Sequence, residues 1–149
     1  MTVRIVVVGG SFGGLASAYE LRKHLEIDKC EITLISKDQR FTFIPSLPWL
    51  ALGSKTLEQI SFDLAPALAS REIAFANETA LAIDPESQIV TTDQKEHPYD
   101  YLMIATGHRS ANEAVSGLGP FSGPGHSLMS PSEASELRGA LARFLESPG

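Results

Sequence analysis

Six consecutive positions, Gly9, Gly10, Ser11, Phe12, Gly13 and Gly14, hold four glycines. Backbone without side chains lets another group come into contact with it, and a cluster of N–H donors favours an anion. The run is a variant of Gly-x-Gly-x-x-Gly with Ser11 at the second glycine position. In that pattern the first glycine permits a tight turn, the second lets backbone approach a pyrophosphate, and the third lets a helix pack on a strand. Ser11 narrows the gap by one Cβ, while its hydroxyl could donate to a phosphate oxygen. By itself the pattern is weak, and the alternative reading is a strand-to-helix turn with no ligand. Other chemistry-bearing residues are sparse. Cys30 is the only cysteine, which excludes an intramolecular disulfide and a multi-thiolate metal site. His24, His97, His108 and His126 have no metal-ligand spacing and read as surface or loop residues. No acid, base or nucleophile can be given a catalytic role.

The elements that must position these residues supply the missing context. Residues 3–8 (VRIVVV) are apolar and β-branched apart from Arg4, the pattern of a strand buried on both faces of a parallel sheet. Beyond the glycines, Leu15, Ala18, Leu21 and Leu25 recur at three- and four-residue steps, which predicts a helix over 14–25. Residues 31–36 (EITLIS) read as a second strand, closing a β-α-β unit within about 35 residues. A glycine run between that strand and that helix becomes a dinucleotide-binding hypothesis. An acidic residue at the end of the second strand would hold a ribose 2′-hydroxyl; here Ser36 stands there, followed by Lys37 and Arg40. Two chemistries fit: Ser36 hydrogen-bonds a ribose hydroxyl, or Lys37 and Arg40 pair with the 2′-phosphate of NADP.

Residues 38–53 (DQRFTFIPSLPWLALG) are aromatic and twice interrupted by proline, so they read as a long ordered loop. A helix is expected over 62–70 despite Pro66. Residues 73–77, 80–83 and 88–92 read as short strands with DPES at 84–87 as a turn, together a small antiparallel insertion. Residues 101–105 (YLMIA) predict a strand that returns to the parallel sheet and ends in Thr106-Gly107. A glycine- and proline-rich connector follows at 117–125. Ser130-Pro131-Ser132-Glu133 then offers an N-cap, a proline at the first helical position and a glutamate at the third, predicting a helix to about residue 146. The fold class is therefore α/β: a Rossmann-like parallel sheet with a βαβ dinucleotide-binding unit and a small antiparallel insertion.

Bulk properties exclude several classes. With 43% hydrophobic and 20% charged residues in 149, the chain is long enough to bury a core. A formal net charge of −6 with no basic cluster longer than Arg22-Lys23 argues against a nucleic-acid surface. The apolar run at the start is too short for a membrane span, and no small-residue cleavage site follows it.

Several motifs together resemble the amino-terminal part of the sulfide:quinone oxidoreductases, within the FAD-dependent pyridine nucleotide-disulfide oxidoreductases that also include type II NADH dehydrogenases. They are VVVGGSFGGL at 6–15, TLISKDQRFTFIPSLPW at 33–49, Phe62-Asp63-Leu64, and DYLMIATG at 100–107. The resemblance implies FAD, with residues 9–14 at the pyrophosphate, Ser36 and Lys37 at the adenosine ribose, and backbone at Ala80 near adenine. It further implies Ile44 and Pro45 at the flavin, with Thr106 and Gly107 closing the site. From residue chemistry alone, Ile44, Pro45 and Trp49 could instead line the core, and Thr106-Gly107 could be a plain strand end. His108 and Arg109 could lie near the flavin or its phosphates.

The resemblance also implies a flavoenzyme that passes electrons from sulfide to quinone. Residues 1–110 would be the amino-terminal portion of the FAD domain, and 111–149 a connector and helix leading to a second dinucleotide-binding domain. The family's later motifs do not occur within the 149 residues, so the chain is expected to be the first part of a longer enzyme and inactive alone. Such a part should self-associate through uncovered sheet edges. The implied location is cytoplasmic, peripheral to the inner face of the membrane. Two departures bear on sulfide: residues 126–129 (HSLM) carry no cysteine where that branch often has one, and Leu47 replaces an expected asparagine. Type II NADH:quinone dehydrogenase-like, NADP-binding and non-catalytic nucleotide-binding readings therefore stay open.

Overall fold

The structure, a computed structural model, describes residues 2–119 and 123–148. It divides into two units, Met1–Phe41 with Phe62–Gly107, and Thr42–Ser61 with His108–Gly149. The glycine run lies in the first.

In that unit β1 (Val3–Val8), α1 (Phe12–His24) and β2 (Cys30–Ile35) form the expected β-α-β unit. The two strands pair in parallel from Val3 opposite Cys30 to Val8 opposite Ile35. On the far side of β1 lies β9 (Tyr101–Ile104), also parallel, with Ile5 opposite Tyr101. β5 (Ala74–Ala76) pairs in parallel with β2, giving the order β5-β2-β1-β9. Alternation along β1 divides the interior. Ile5 and Val7 join Ile32, Leu34, Leu15 and Ala18, with Leu64 and Leu68 from α3 (Leu64–Ala69). Val6 and Val8 join Ile35, Ala76, Val90 and Tyr99 on the other face. Burying each such aliphatic side chain contributes about 1.5–3 kcal/mol, which makes the doubly covered strands β1 and β2 the stable centre.

The insertion differs from expectation in membership. Residues 73–77 do not belong to it, since β5 is a parallel strand of the main sheet. The antiparallel sheet is β6 (Ala80–Asp84), β7 (Ile89–Thr92) and a third strand, β8 (Glu96–Pro98), that the sequence pattern does not announce. A charged residue, a histidine and a proline make a strand at Glu96–Pro98 because the ladder to β7 holds them there. Asp84 closes the β6–β7 turn by accepting from the N–H groups of Glu86 and Ser87 at 2.9 and 3.2 Å.

The expected loop over 38–53 contains regular structure. β3 (Arg40–Thr42) pairs with β4 (Ser61–Asp63), and the expected helix over 62–70 starts only at Leu64 after β4. In the second unit a single 3-10 turn at Ile44–Ser46 leads into α2 (Leu47–Ala51). Each has a proline in its first two positions, where the missing N–H has no intrahelical role. The prolines therefore start these turns instead of preventing them.

Leu47, Leu50, Ala51, Ile60 and Ala134 form the core of this unit, where α2 packs on α4 (Pro131–Glu146). Ser130 caps α4 as expected, its Oγ accepting from Glu133 N at 3.3 Å. The Glu133 carboxylate reaches back beyond the cap, accepting from Met129 N and Ser127 Oγ, both at 2.8 Å. The connector expected over 117–125 includes residues 120–122, which lie outside the described residues.

Candidate functional site

At the carboxyl edge of the parallel sheet, the ends of β1, β2 and β9 converge on the glycine run. Gly9 N donates to Ile35 O and Ala105 N donates to Val8 O, each at 2.8 Å, so both ladders continue past the strand ends. Gly9 has φ +121°, and a Cβ there would meet Ala105 O at 2.2 Å. Position 9 therefore admits only glycine. The helix then starts at Phe12, two residues earlier than its apolar period predicts, because Gly14 lies on the turn it has just left. A Cβ on Gly14 would stand 1.8 Å from Gly9 O.

Gly13 differs from these. A Cβ on it would meet one atom, Ala105 Cβ, at an ordinary 3.5 Å, and the residue is exposed. Packing inside the protein does not require glycine at this position. Ser11 is the N-cap residue by backbone geometry, yet its side chain makes no capping bond, and no acidic residue stands in the first turn of α1. The positive end of a 13-residue helix thus faces outward, without a built-in anion, through Ser11, Phe12 and Gly13. Phe12 packs edge-on against Phe41 with ring centroids 5.0 Å apart, and Phe41 stacks on Phe62 at 4.9 Å.

Ser36 is buried directly beside this turn. A Cβ on Gly10 would lie 2.5 Å from Ser36 Oγ, so the serine occupies the space that Gly10 leaves. Its Oγ accepts from Asp38 N at 3.2 Å, which leaves the hydroxyl hydrogen available for donation. Lys37 is exposed; Arg40 is held by Asp63 at 3.1 Å. Thr106 and Gly107 follow β9 on the exposed side, with Gly107 at φ +75°. Ala80 opens β6 and packs on the core with Val90. Ile44 and Pro45 belong to the second unit, where they are exposed, as is Trp49; Leu47 and Leu50 supply the core there.

One expectation about the histidines fails. His97 is only 8% exposed, and its Nε2 lies 2.6 Å from Glu78 Oε2, which Thr92 Oγ1 also approaches at 2.7 Å. Burial alone would raise the Glu78 carboxyl, but the hydrogen bonds from His97 and Thr92, with the charges of His97 and Lys95, hold it below the usual range. Nothing in the local sequence marks this cluster, since its members come from a loop, β7 and β8. His24 pairs with Glu20 at 2.8 Å on the exposed face of α1. Cys30 is the first residue of β2, and burial pushes its thiol up. Among the described residues no group of three or more His, Cys, Asp or Glu could hold a metal.

A cavity of about 640 Å³ lies elsewhere. It is apolar, lined among others by Val3, Ile5, Leu21, Tyr101 and Met103, and contains no residue of the glycine run. Its walls are β1, the end of α1 and the segment after it, and the edge strand β9.

Comparison with known proteins agrees with this geometry. The chain is 47% identical over 108 residues to the sulfide-quinone reductase of Aquifex aeolicus, an alignment covering 72% of this chain and 25% of that protein. It is 25% identical over 115 residues to the type II NADH:quinone oxidoreductase of Staphylococcus haemolyticus, covering 77% of this chain and 29% of the relative. The X-ray structure of the sulfide:quinone oxidoreductase from Aquifex aeolicus superposes with a TM-score of 0.86 at 37% identity, over 99% of this chain and 33% of that one. The chain thus spans 25–33% of the length of these relatives. Residues 3–141, which take in the β1–glycine–α1 unit, the strands that flank it and most of α4, match the pyridine nucleotide-disulphide oxidoreductase pattern. The chain belongs to that family.

Proposed function

We propose that this chain holds the adenosine-diphosphate half of FAD in a flavin-dependent oxidoreductase that passes electrons from sulfide to quinone. The observation that carries the reading is the outward-facing, uncapped start of α1, with Gly13 kept free of a side chain that the protein's own packing would accept. An anion fits there, because the N–H groups of the first helical turn and the helix dipole both favour negative charge. Backbone at residues 9–14 receives the pyrophosphate oxygens. The Ser36 hydroxyl donates to the ribose, Lys37 lies beside it, and Ala80 presents backbone to adenine. By the family resemblance, Thr106 and Gly107 would border the flavin side, and Ile44 and Pro45 would be flavin-contacting residues. FAD would supply the two-electron chemistry when bound, and these residues would bind and orient it. Likeness to the Aquifex sulfide-quinone reductase supports sulfide as donor.

A second donor, NADH, is favoured by one specific observation. Residues 126–129 carry no cysteine where the sulfide-oxidising branch often has one, and Cys30 is buried at the start of β2. Adding each donor to the intact, flavin-loaded protein separates the two: bleaching of the flavin band by sulfide supports the first reading, and bleaching by NADH alone supports the second.

A quinone acceptor places the protein at the inner face of a membrane as a peripheral, cytoplasmic component. Among the described residues no helix is long and apolar enough to cross one. The uncovered edge of β9, with Tyr101 66% and Ile104 57% exposed, also supports self-association of the chain. Light scattering reads this directly, and a monodisperse monomer contradicts it.

A further inference from the structure

The segment after β2 is held from behind. Ser36 N donates to Ala76 O at 3.0 Å, and Glu78 N donates to Ser36 O at 3.1 Å. Asn77 Nδ2 donates to both Ser36 O at 2.9 Å and Lys37 O at 3.0 Å, across 41 and 40 residues of sequence. Both carbonyls of the Ser36-Lys37 segment are therefore fixed by one side-chain amide. The Ser36 hydroxyl hydrogen and the exposed Lys37 side chain take no part in these bonds.

Residues 77–80 are anchored in turn. The Glu78 carboxylate, 7% exposed, is held by Thr92 of β7 and His97 of β8. Thr79 N donates to Asp93 Oδ1 at 2.9 Å and Asp93 N donates to Thr79 O at 3.0 Å, and β6 starts at Ala80. Four successive residues thus grip the Ser36-Lys37 segment at one end and become the Ala80 strand at the other. A buried carboxylate–imidazole hydrogen bond adds little net stability over an apolar pair of the same volume, and the best-attested use of such buried polar pairs is to fix one arrangement among several.

We infer that Asn77 and Glu78 are positioning residues of the adenosine site: Asn77 sets the ribose-facing segment, and the Glu78–His97 pair sets its distance from the adenine-facing backbone at Ala80. The inference rests on the nucleotide-binding reading above. It assigns selection among adenosine nucleotides partly to residues that do not touch the nucleotide.

Calorimetric titration of the 149-residue chain with ADP and, separately, with inorganic pyrophosphate tests it. Pyrophosphate reads the glycine turn alone, and ADP reads the turn together with the adenosine half. Asn77→Ala is expected to weaken ADP about tenfold, the scale of two lost hydrogen bonds, with pyrophosphate changed less than about twofold. The double variant Glu78→Leu/His97→Leu removes the pair without leaving an unpaired charge. It is expected to melt no lower than the wild type and still to weaken ADP several-fold, so it decides the question if Asn77→Ala does not fold. Unchanged ADP binding in both variants, or ADP and pyrophosphate weakened by the same factor, overturns the inference. A wild-type chain that binds pyrophosphate but not ADP overturns it while leaving the anion site intact. A wild type that binds neither removes the nucleotide-binding reading, and the inference with it.

Discussion

The four glycines of the turn do different work, and single substitutions should separate fold from site. Gly14→Ala drives a Cβ onto a backbone oxygen that cannot rotate away, so the loss of stability should be at least about 3 kcal/mol, at the upper end for overpacked positions. Gly13→Ala meets only an ordinary contact and should leave stability within about 1 kcal/mol of wild type, since alanine suits a helix better than glycine. It should nevertheless weaken pyrophosphate binding by roughly tenfold, because the methyl group stands where the anion must approach. Thermal melts beside titrations read the two effects independently. The glycine pattern was visible in the sequence, but its division of labour was not, since the clash partners Ala105 and Ser36 lie just past the ends of β9 and β2.

A second residue-scale expectation concerns acid. Glu78 is held below the usual carboxylate range, so the stability it contributes is complete above that range and is lost as pH falls through its lowered value. The groups that act on it are His97, Thr92 and Lys95, and His97 in turn lines a small cavity with Arg4, Glu31, Lys95 and Glu96. The melting-temperature difference between wild type and Glu78→Gln should therefore shrink steadily in acid. A difference that stays constant down to about pH 3 contradicts the assignment.

Among the elements, those whose own sequence carries their signal were legible. β1 and β9 are compact apolar runs, and the cap of α4 is written in Ser130-Pro131-Ser132-Glu133. Ser130→Ala should lower the stability of the α2–α4 unit by about 1 kcal/mol, measurable in denaturant, because it removes the partner of Glu133 N. Elements defined by their neighbours were not legible. Ala74–Ala76 looks like any short strand, and only pairing with Thr33 to Ile35 makes it parallel. The strand at Glu96–Pro98 has no apolar period at all, and the burial of His97 follows from that hidden strand. Pro45 and Pro48 read as breakers because sequence alone does not distinguish a first helical position from an interior one.

For the whole molecule, a parallel four-stranded sheet places the ends of β1, β2 and β9 on one edge, and that edge is where open α/β sheets bind ligands. The acidic balance, −6 overall, offers an anion no broad basic surface, so the proposed anion site rests on backbone and a helix end. The apolar cavity between α1, β1 and β9 contains no residue of the glycine run, so its volume says nothing about the site.

The most direct test of the central claim is an equilibrium titration of the chain with FAD and with NADPH, followed spectroscopically and repeated on Gly13→Ala. Saturable FAD binding is expected, weakened about tenfold by the Gly13 substitution without unfolding of the protein. Tight NADPH binding with none for FAD would contradict it and return Lys37 to the role of a 2′-phosphate partner.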